Sequence, residues 1–226
     1  MSIKMIVTDV DDTLLRKDKT VSQYTLDILR RCREAGIKTA IATARGHPEK
    51  VAPVEQFDGK ILCNGAVIVA DGVTYRQTIP YREARPLLLA CCQRGLRVTT
   101  QFNAMHDSNF DVDTVWPEIK KWEAVDFSNH EVDIEKINVD SVTVEDAIFI
   151  EQNMTANMHL KIARDGLGMI MLKDATKSKA LAKLARIWGI AGSEIVAFGD
   201  DLNDIDLLIY AGVGVARWIE ENVLCN

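Results

Sequence analysis

The sequence lacks an apolar run long enough to cross a membrane, and Met1–Val10 does not read as a signal peptide. Both absences predict a cytoplasmic protein with no membrane partner. Its five cysteines (Cys32, Cys63, Cys91, Cys92, Cys225) are odd in number and have no CxxC spacing, so they read as reduced, mostly buried thiols. Four histidines are scattered without an HxH or HExxH pattern, which argues against zinc. Positive charge is in short supply: 27 Lys and Arg face 33 Asp and Glu, for a net charge of −6. A nucleic-acid partner would favour a basic face and is not expected. Phosphorylated substrates stay open, because a local metal or lysine overrides the global sign. Internal repeats and low-complexity linkers are also missing.

What is present is ordinary in bulk and unusual in one place. With 226 residues, 47% hydrophobic and 27% charged, the chain suits one large domain or a core with an insertion. The stretch Ile3–Leu15 stands out. Its apolar, β-branched run Ile3, Met5, Ile6, Val7 stops abruptly at Asp9, Asp11 and Asp12, followed by Thr13. Near-continuous hydrophobicity over so few residues predicts a strand buried on both faces of a parallel sheet. Ligands bind beyond the carboxyl ends of such strands. Three carboxylates placed there repel one another, and a divalent cation with oxygen ligands would relieve them. An acidic turn is the plain alternative.

Further along, Ser22 is a candidate N-cap for a helix over Gln23–Ala35 that Gly36 closes. Ile37–Thr43 and Lys60–Asn64 read as two more buried strands, with a short helix opening at Pro48 between them. Strand–helix–strand alternation predicts parallel pairing with right-handed crossovers. Ala66–Ala70, Asp71-Gly72 and Val73–Ile79 read as a hairpin with a type I′ turn. From about Pro80 to about Leu172 the rhythm is less regular. Leu87–Cys92 reads as a helix with Pro86 in its first turn or interrupting it. Leu96–Phe102, Ile134–Val139, Met158–Ala163 and Gly168–Leu172 read as strands, and Val144–Asn153 as a helix. Phe110, Trp116 and Trp122 read as core aromatics. The opening theme then returns: a helix over Lys177–Trp188, a strand over Ile195–Phe198, a helix over Asn203–Tyr210 and a last strand over Val213–Val215. The expected fold is α/β: a Rossmann-like, doubly wound parallel-sheet core (residues 1–79 and 173–226) with an inserted α+β cap domain (residues 80–172).

A second acidic cluster, Asp200, Asp201 and Asp204, follows the strand at Ile195–Phe198. If that strand and the first lie in one parallel sheet, both clusters reach the same edge and form a candidate magnesium site. Thr43 and Asn64 end two further strands there. Lys177 supplies the positive charge that a phosphate among these groups would want. Taken singly, Thr43 is a strand-end residue, Lys177 a solvated helix residue with Lys179 as its neighbour, Asn64 a left-handed turn residue and Arg45 a loop cap.

Asp9-Val10-Asp11-Asp12-Thr13, Thr43, Lys177 and Gly199-Asp200-Asp201-Leu202-Asn203-Asp204 resemble, in order and spacing, the four motifs of the haloacid dehalogenase-like (HAD) superfamily. Cys63-Asn64-Gly65-Ala66 and the Lys177–Leu181 spacing are similar to its Cof-type sugar-phosphatase branch, which carries an α/β cap of type C2. The resemblance implies that Asp9 is a nucleophile forming an aspartyl-phosphate and Asp11 the general acid–base. It implies a magnesium ion held by Asp9, Asp200 and the main-chain carbonyl of Asp11, with Asp204 as a direct or indirect ligand. It implies phosphoryl binding by Thr43 and Lys177, helped by Asn203. Ala44, Arg45 and Asn64 are the remaining substrate-side candidates.

The implied activity is magnesium-dependent hydrolysis of a small phosphorylated metabolite of the sugar-phosphate class, with the cap closing over it. Phosphomutase-type transfer and a non-catalytic phosphometabolite-binding role are the competing readings. The substrate is not named by any motif, and monomer and dimer are both open. Two departures from the family pattern stand out. Asp12 occupies a position usually held by Gly. After Gly214-Val215-Ala216 the family continues Met-Gly-Asn-Ala, whereas here Arg217-Trp218 follow and the sequence ends at Asn226, which reads as a truncated or divergent tail.

Overall fold

A computed structural model describes residues 2–129, 131–163 and 165–217. The expected divergent tail from Trp218 onward, with Cys225, lies outside the described residues. The chain divides into two compact units: one runs to Tyr75 and resumes at Ala175, and the other is Arg76–Asp174. The sequence places those divisions at 79/80 and 172/173, a few residues away.

The first unit begins with β1 (Met5–Thr8), α1 (Gln23–Glu34), β2 (Lys38–Ala42), β3 (Gly59–Leu62), β4 (Val67–Ala70) and β5 (Val73–Arg76, its last residue already in the second unit). The second contains α2 (Tyr81–Gln93), β6 (Val98–Phe102), β7 (Met105–Ser108), β8 (Trp122–Ala124), β9 (Lys136–Val139), α3 (Val144–Asn153), β10 (Met158–Ile162) and β11 (Gly168–Leu172). The chain then returns to the first unit with α4 (Lys177–Ile187), β12 (Ile195–Gly199), α5 (Ile205–Tyr210) and β13 (Val213–Ala216). No helix among the described residues is long and apolar enough to cross a membrane.

In the first unit the strands lie in the order β13-β12-β1-β2-β3-β4-β5. The first five are parallel, and β4 runs antiparallel to β3. Both faces are covered. Met5, Val7, Ala40, Ala42 and Ile61 pack with Leu181, Leu184 and Leu207 of α4 and α5. On the opposite face Ile41 packs with Leu29 of α1, Ala52 and Phe57. Alternate residues of one strand serve the two faces, so each strand reads as an unbroken apolar run. Ser22 caps α1 by accepting from Thr25 N at 3.0 Å, and Gly36 (φ +77°) closes it. Asp71 (φ 50°) and Gly72 (φ 78°) form the left-handed pair that a type I′ hairpin requires.

The second unit is a six-stranded sheet, β10-β11-β9-β6-β7-β8, antiparallel except between β7 and β8. One face packs on α2 and α3 through Leu87, Leu88, Ile137, Val139, Ile150 and Ile170. Several expectations need correction here. Pro86 lies in the second turn of α2, which starts at Tyr81, so it neither opens nor interrupts the helix. Ile134 makes an isolated bridge to Ile79 rather than starting β9. Phe110, Trp116 and Trp122 are half-buried and lie outside the apolar cluster; the aromatic anchor is Phe127, fully buried. Phe110 and Trp122 instead line a groove of about 930 Å³ with Asp111, Asp113 and Asp126. Two of those carboxylates close local turns, Asp111 onto Asp113 N and Asp126 onto Ser128 N. Cys32, Cys63, Cys91 and Cys92 are free thiols, and burial pushes Cys91 up to about 12, which keeps it inert.

Candidate active site

Parallel pairing fixes where the functional side chains arrive. Thr8 of β1 is in register with Ile41 of β2 and Phe198 of β12, so these strands end at one edge. The next residues along the chain are Asp9 after β1, Thr43 after β2 and Asp200 after β12. Asn64 follows β3 at the same edge, because β3 pairs in parallel with β2. A parallel sheet thus gathers its strand-end residues without any of them being close in sequence.

Asp9 opens a tight turn in which Leu14 N donates to Asp9 O and Leu15 N to Val10 O. The turn needs a left-handed residue at Asp12 (φ 56°). Glycine is the usual answer to that requirement, and aspartate is among the few side chains that tolerate it. The backbone therefore accounts for the departure at Asp12. After β3, Cys63 (φ 50°), Asn64 (φ 54°) and Gly65 (φ 108°) make three consecutive left-handed residues. A Cβ on Gly65 would lie 2.3 Å from the carbonyl oxygen of Thr176, so only glycine lets this turn abut the start of α4. Thr176 caps α4 by accepting from Lys179 N at 3.2 Å, and Lys177 is the first residue of the helix.

Lys177 is fully buried. Its Nζ donates to Asp9 Oδ1 at 2.7 Å and to Asp204 Oδ1 at 2.6 Å. Burial works against its charge, but the two carboxylates outweigh it and hold the ammonium above its ordinary range. Lys179 is exposed, which decides between the two lysines. Asp204 Oδ2 accepts from the main-chain N–H groups of Asp200 and Asp201, both at 3.2 Å. One buried carboxylate therefore holds both Lys177 and the loop after β12. Gly199 leaves room for it, since a Cβ there would meet the Asp204 side chain at 2.5 Å.

One carboxylate oxygen each from Asp9, Asp200 and Asp204 lie within 4.8 Å of one another. Burial raises the Asp9 carboxyl against the pull of Lys177, and the charge of Asp204 raises it further. Asp200 is raised by burial and by the charges of Asp204, Asp12 and Asp201, while Thr13 opposes this by donating to Asp200 Oδ1 at 2.5 Å. Carboxylate oxygens of like charge at this spacing suit a hard divalent cation, with Asp9 and Asp200 as its donors, since both oxygens of Asp204 are held by Lys177 and two N–H groups.

The carboxylate of Asp11 lies outside that trio. Arg45 grips it in two places, Nε to Oδ2 at 2.6 Å and Nη2 to Oδ1 at 2.9 Å, and Lys19 Nζ stands 3.5 Å from Oδ1. Burial favours a proton on Asp11, but Arg45 and Lys19 prevail and hold the carboxyl below its usual range. Thr43 is buried, and its Oγ1 accepts from Arg45 N at 3.1 Å. Ala44, half-buried, joins the two. Asn64 is buried, its N–H donating to Thr43 O at 3.0 Å, and Asn203 Nδ2 donates to Asn64 Oδ1 at 3.3 Å.

The residues expected from the sequence thus fall at this one edge of the first unit, in three linked sets: Asp9, Lys177, Asp200 and Asp204; Asp11 with Arg45; and Thr43, Asn64 and Asn203, with Ala44 between Thr43 and Arg45. Two neighbours were given no role from the sequence, Thr13 as partner of Asp200 and Lys19 near Asp11; Arg217, marked there only as a departure from the family pattern, joins them. Arg217 Nη1 donates to the carbonyls of Asp12 at 2.9 Å and Thr13 at 3.3 Å, pinning the turn from the residue that follows β13. Thr13 had a signal, since it closes the acidic string; Arg217 was marked only as the point where the chain leaves the family pattern.

A family model described as haloacid dehalogenase-like hydrolase matches residues 6–217. A putative phosphatase of Haemophilus influenzae is 25% identical over 234 residues, covering 96% of this chain and 87% of its own. A 5-amino-6-(5-phospho-D-ribitylamino)uracil phosphatase of Bacillus subtilis is 25% identical over 228 residues, covering 99% of this chain and 87% of its own. Among solved structures, the HAD phosphatase BT1666 of Bacteroides thetaiotaomicron superposes with a TM-score of 0.81 at 27% identity, covering 95% of this chain and 84% of that one. The HAD subclass IIB sugar phosphatase BT4131 superposes at 0.81 with 23% identity, covering 94% and 86%, and attests the fold.

Proposed function

The chain belongs to the haloacid dehalogenase-like hydrolases, of the Cof type, and is a phosphomonoester hydrolase; we propose that it is magnesium-dependent, works through an aspartyl-phosphate on Asp9, and acts on a small phosphorylated metabolite of the sugar-phosphate class. The observation that carries the mechanism is the Lys177 ammonium 2.7 Å from Asp9, inside a ring of three carboxylates at the end of a parallel sheet. The substrate class is supported by the chemistry named for BT4131 and for the ribitylaminouracil phosphatase.

In the first displacement an Asp9 carboxylate oxygen bonds to phosphorus, and the bond from phosphorus to the alcohol oxygen breaks. Asp11 gives its proton to the departing alkoxide. In the second, water bonds to phosphorus, yields a proton to Asp11, and the acyl-phosphate bond breaks to free Asp9 and inorganic phosphate. Lys177, Thr43 and Asn203 bind the transferring oxygens. Asp11 must part from Arg45 to carry a proton, and an anionic phosphate is the group that would draw Arg45 away. Asp9, Asp200 and the main-chain carbonyl of Asp11 would hold magnesium. When bound, the ion screens the repulsion between an anionic nucleophile and an anionic substrate. Both oxygens of Asp204 are engaged by Lys177 and two N–H groups, so its part is to fix Lys177 and the Asp200 loop around that ion.

The test is phosphate release from a panel of sugar phosphates and an aryl phosphate, with magnesium, with chelator, and with Asp9→Asn. Chelation should abolish release, and Asp9→Asn should lower kcat by roughly a thousandfold or more while the fold persists. Near-normal turnover in that variant would sink the mechanism.

A further inference from the structure

Arg217 is the first residue after β13, and it touches both segments that carry the acidic side chains. Its main chain extends a parallel ladder by one step. β13 pairs with β12 as far as Ala216 opposite Gly199, and Arg217 N then donates to Gly199 O at 3.0 Å. The residue is thereby anchored beside the one that precedes Asp200. Its side chain reaches the other segment, where Nη1 donates to Asp12 O at 2.9 Å and to Thr13 O at 3.3 Å. The turn's own bonds, Leu14 N to Asp9 O and Leu15 N to Val10 O, involve neither of those carbonyls. The two segments also meet directly, because Thr13 Oγ1 donates to Asp200 Oδ1 at 2.5 Å. The contacts close a circuit: Gly199 to Arg217, Arg217 to Asp12 and Thr13, Thr13 to Asp200, and back along the chain to Gly199.

A closed circuit constrains what the sheet alone leaves free. β1 and β12 fix where the two loops begin, not where they run beyond the strand ends. Apolar packing holds the turn through Val10, Leu14 and Leu15. Residues 11–13 between them are polar and partly exposed, so their position rests on hydrogen bonds. A guanidinium donor makes stronger bonds to carbonyls than a neutral group does. Among the described residues, the hydrogen bonds of Arg217 all go to main-chain carbonyls, so it acts on the carboxylates only through the loops that carry them. Loss of a group that orients metal ligands from outside the coordination sphere typically costs about 10–100-fold in metal affinity or activity.

We propose that Arg217 is a positioning residue, which sets the spacing between the Asp9 turn and the Asp200 loop and thereby the affinity for the divalent cation and the rate of phosphoryl transfer. This rests on the magnesium-dependent phosphatase reading above. The test uses the full chain with Arg217→Met, Arg217→Lys, Thr13→Val and the double variant Arg217→Met with Thr13→Val. Calorimetric titration with magnesium reads affinity in the absence of substrate. Turnover of p-nitrophenyl phosphate at saturating magnesium reads kcat and KM, and Tm reads stability. In Arg217→Met we expect magnesium affinity and kcat each to fall about tenfold, with KM within about twofold of wild type. Arg217→Lys should recover most of both losses, since an ammonium has donors for both carbonyls. Because the contacts form one circuit, the double variant should be no more than about twofold worse than the worse single variant. Wild-type magnesium affinity and kcat in Arg217→Met, whatever its Tm, would overturn the proposal. So would losses that multiply in the double variant, or a rise in KM alone, which would make Arg217 a substrate contact. If wild type releases no phosphate from any substrate, the phosphatase reading has failed and the magnesium titration alone decides this one.

Discussion

Asp12 shows how a backbone angle governs a choice of residue at the centre of the site. Its φ of 56° is forced by the turn that presents Asp9 and Asp11. Among the described residues its carboxylate pairs with Lys19 at 3.7 Å in an exposed contact, a kind of pair worth little. Asp12→Gly should therefore change stability by less than about 0.5 kcal/mol. Asp12→Val should cost about 1–2 kcal/mol, since a β-branched side chain is strained in the left-handed region, and should lower kcat because the strain falls on the nucleophile's own loop. Urea midpoints and phosphate release on the two variants check this, and equal behaviour of Val and Gly would refute it. At this scale much of the site is legible in the sequence. Asp9 and Asp11, and Asp200 and Asp204, stand in two acidic strings at strand ends, whereas Lys177, taken singly a solvated helix residue, is picked out only by the spacing to Leu181 that resembles the family's. The contacts of Arg45 with Asp11, Thr13 with Asp200 and Arg217 with Asp12 span 34, 187 and 205 residues, and no local pattern encodes them.

Among the elements, the turn after β3 carries the most consequence for its size. Gly65 presses against the backbone of Thr176, the cap of the helix that delivers Lys177. Gly65→Ala meets both a φ of 108° and a contact at 2.3 Å with a carbonyl oxygen that cannot rotate aside. Overpacking of this kind costs roughly 1–3 kcal/mol, and an ångström of displacement at a catalytic group can cost about a hundredfold in rate. The variant should lose stability in that range and lower kcat at least tenfold; a variant with wild-type kcat would show that α4 does not depend on this contact. The buried parallel strands were legible as apolar runs ending in polar clusters, and α3 matches its expected bounds because a capping box at Thr143 and Asp146 marks its start. β7 and β8 were not legible. They are short, β8 is mostly exposed, and neither alternates cleanly enough to announce a strand.

For the molecule as a whole, chain order and core do not coincide. The first unit takes β1 to β5 from one side of the insertion and β12 and β13 from the other, so its sheet is complete only when distant segments meet. The second unit is continuous. The alternation of strand and helix at both ends, with a different rhythm between, made this arrangement legible; the exact divisions were not, because no linker of distinct composition marks them. The apolar clusters of the two units share no residue. We therefore expect core damage to stay where it is made. Ile137→Ala opens a cavity on the packed face of the second unit, and Ile61→Ala does so in the first; both side chains are buried, and each truncation should cost about 2–5 kcal/mol. Native-state hydrogen exchange reads the outcome by region. Ile137→Ala should speed exchange in β6, β9 and β11 while leaving β1, β2 and β12 at wild-type protection, and Ile61→Ala should do the reverse. If either substitution speeds exchange equally throughout, the two cores unfold as one cooperative body and the division into autonomous units fails.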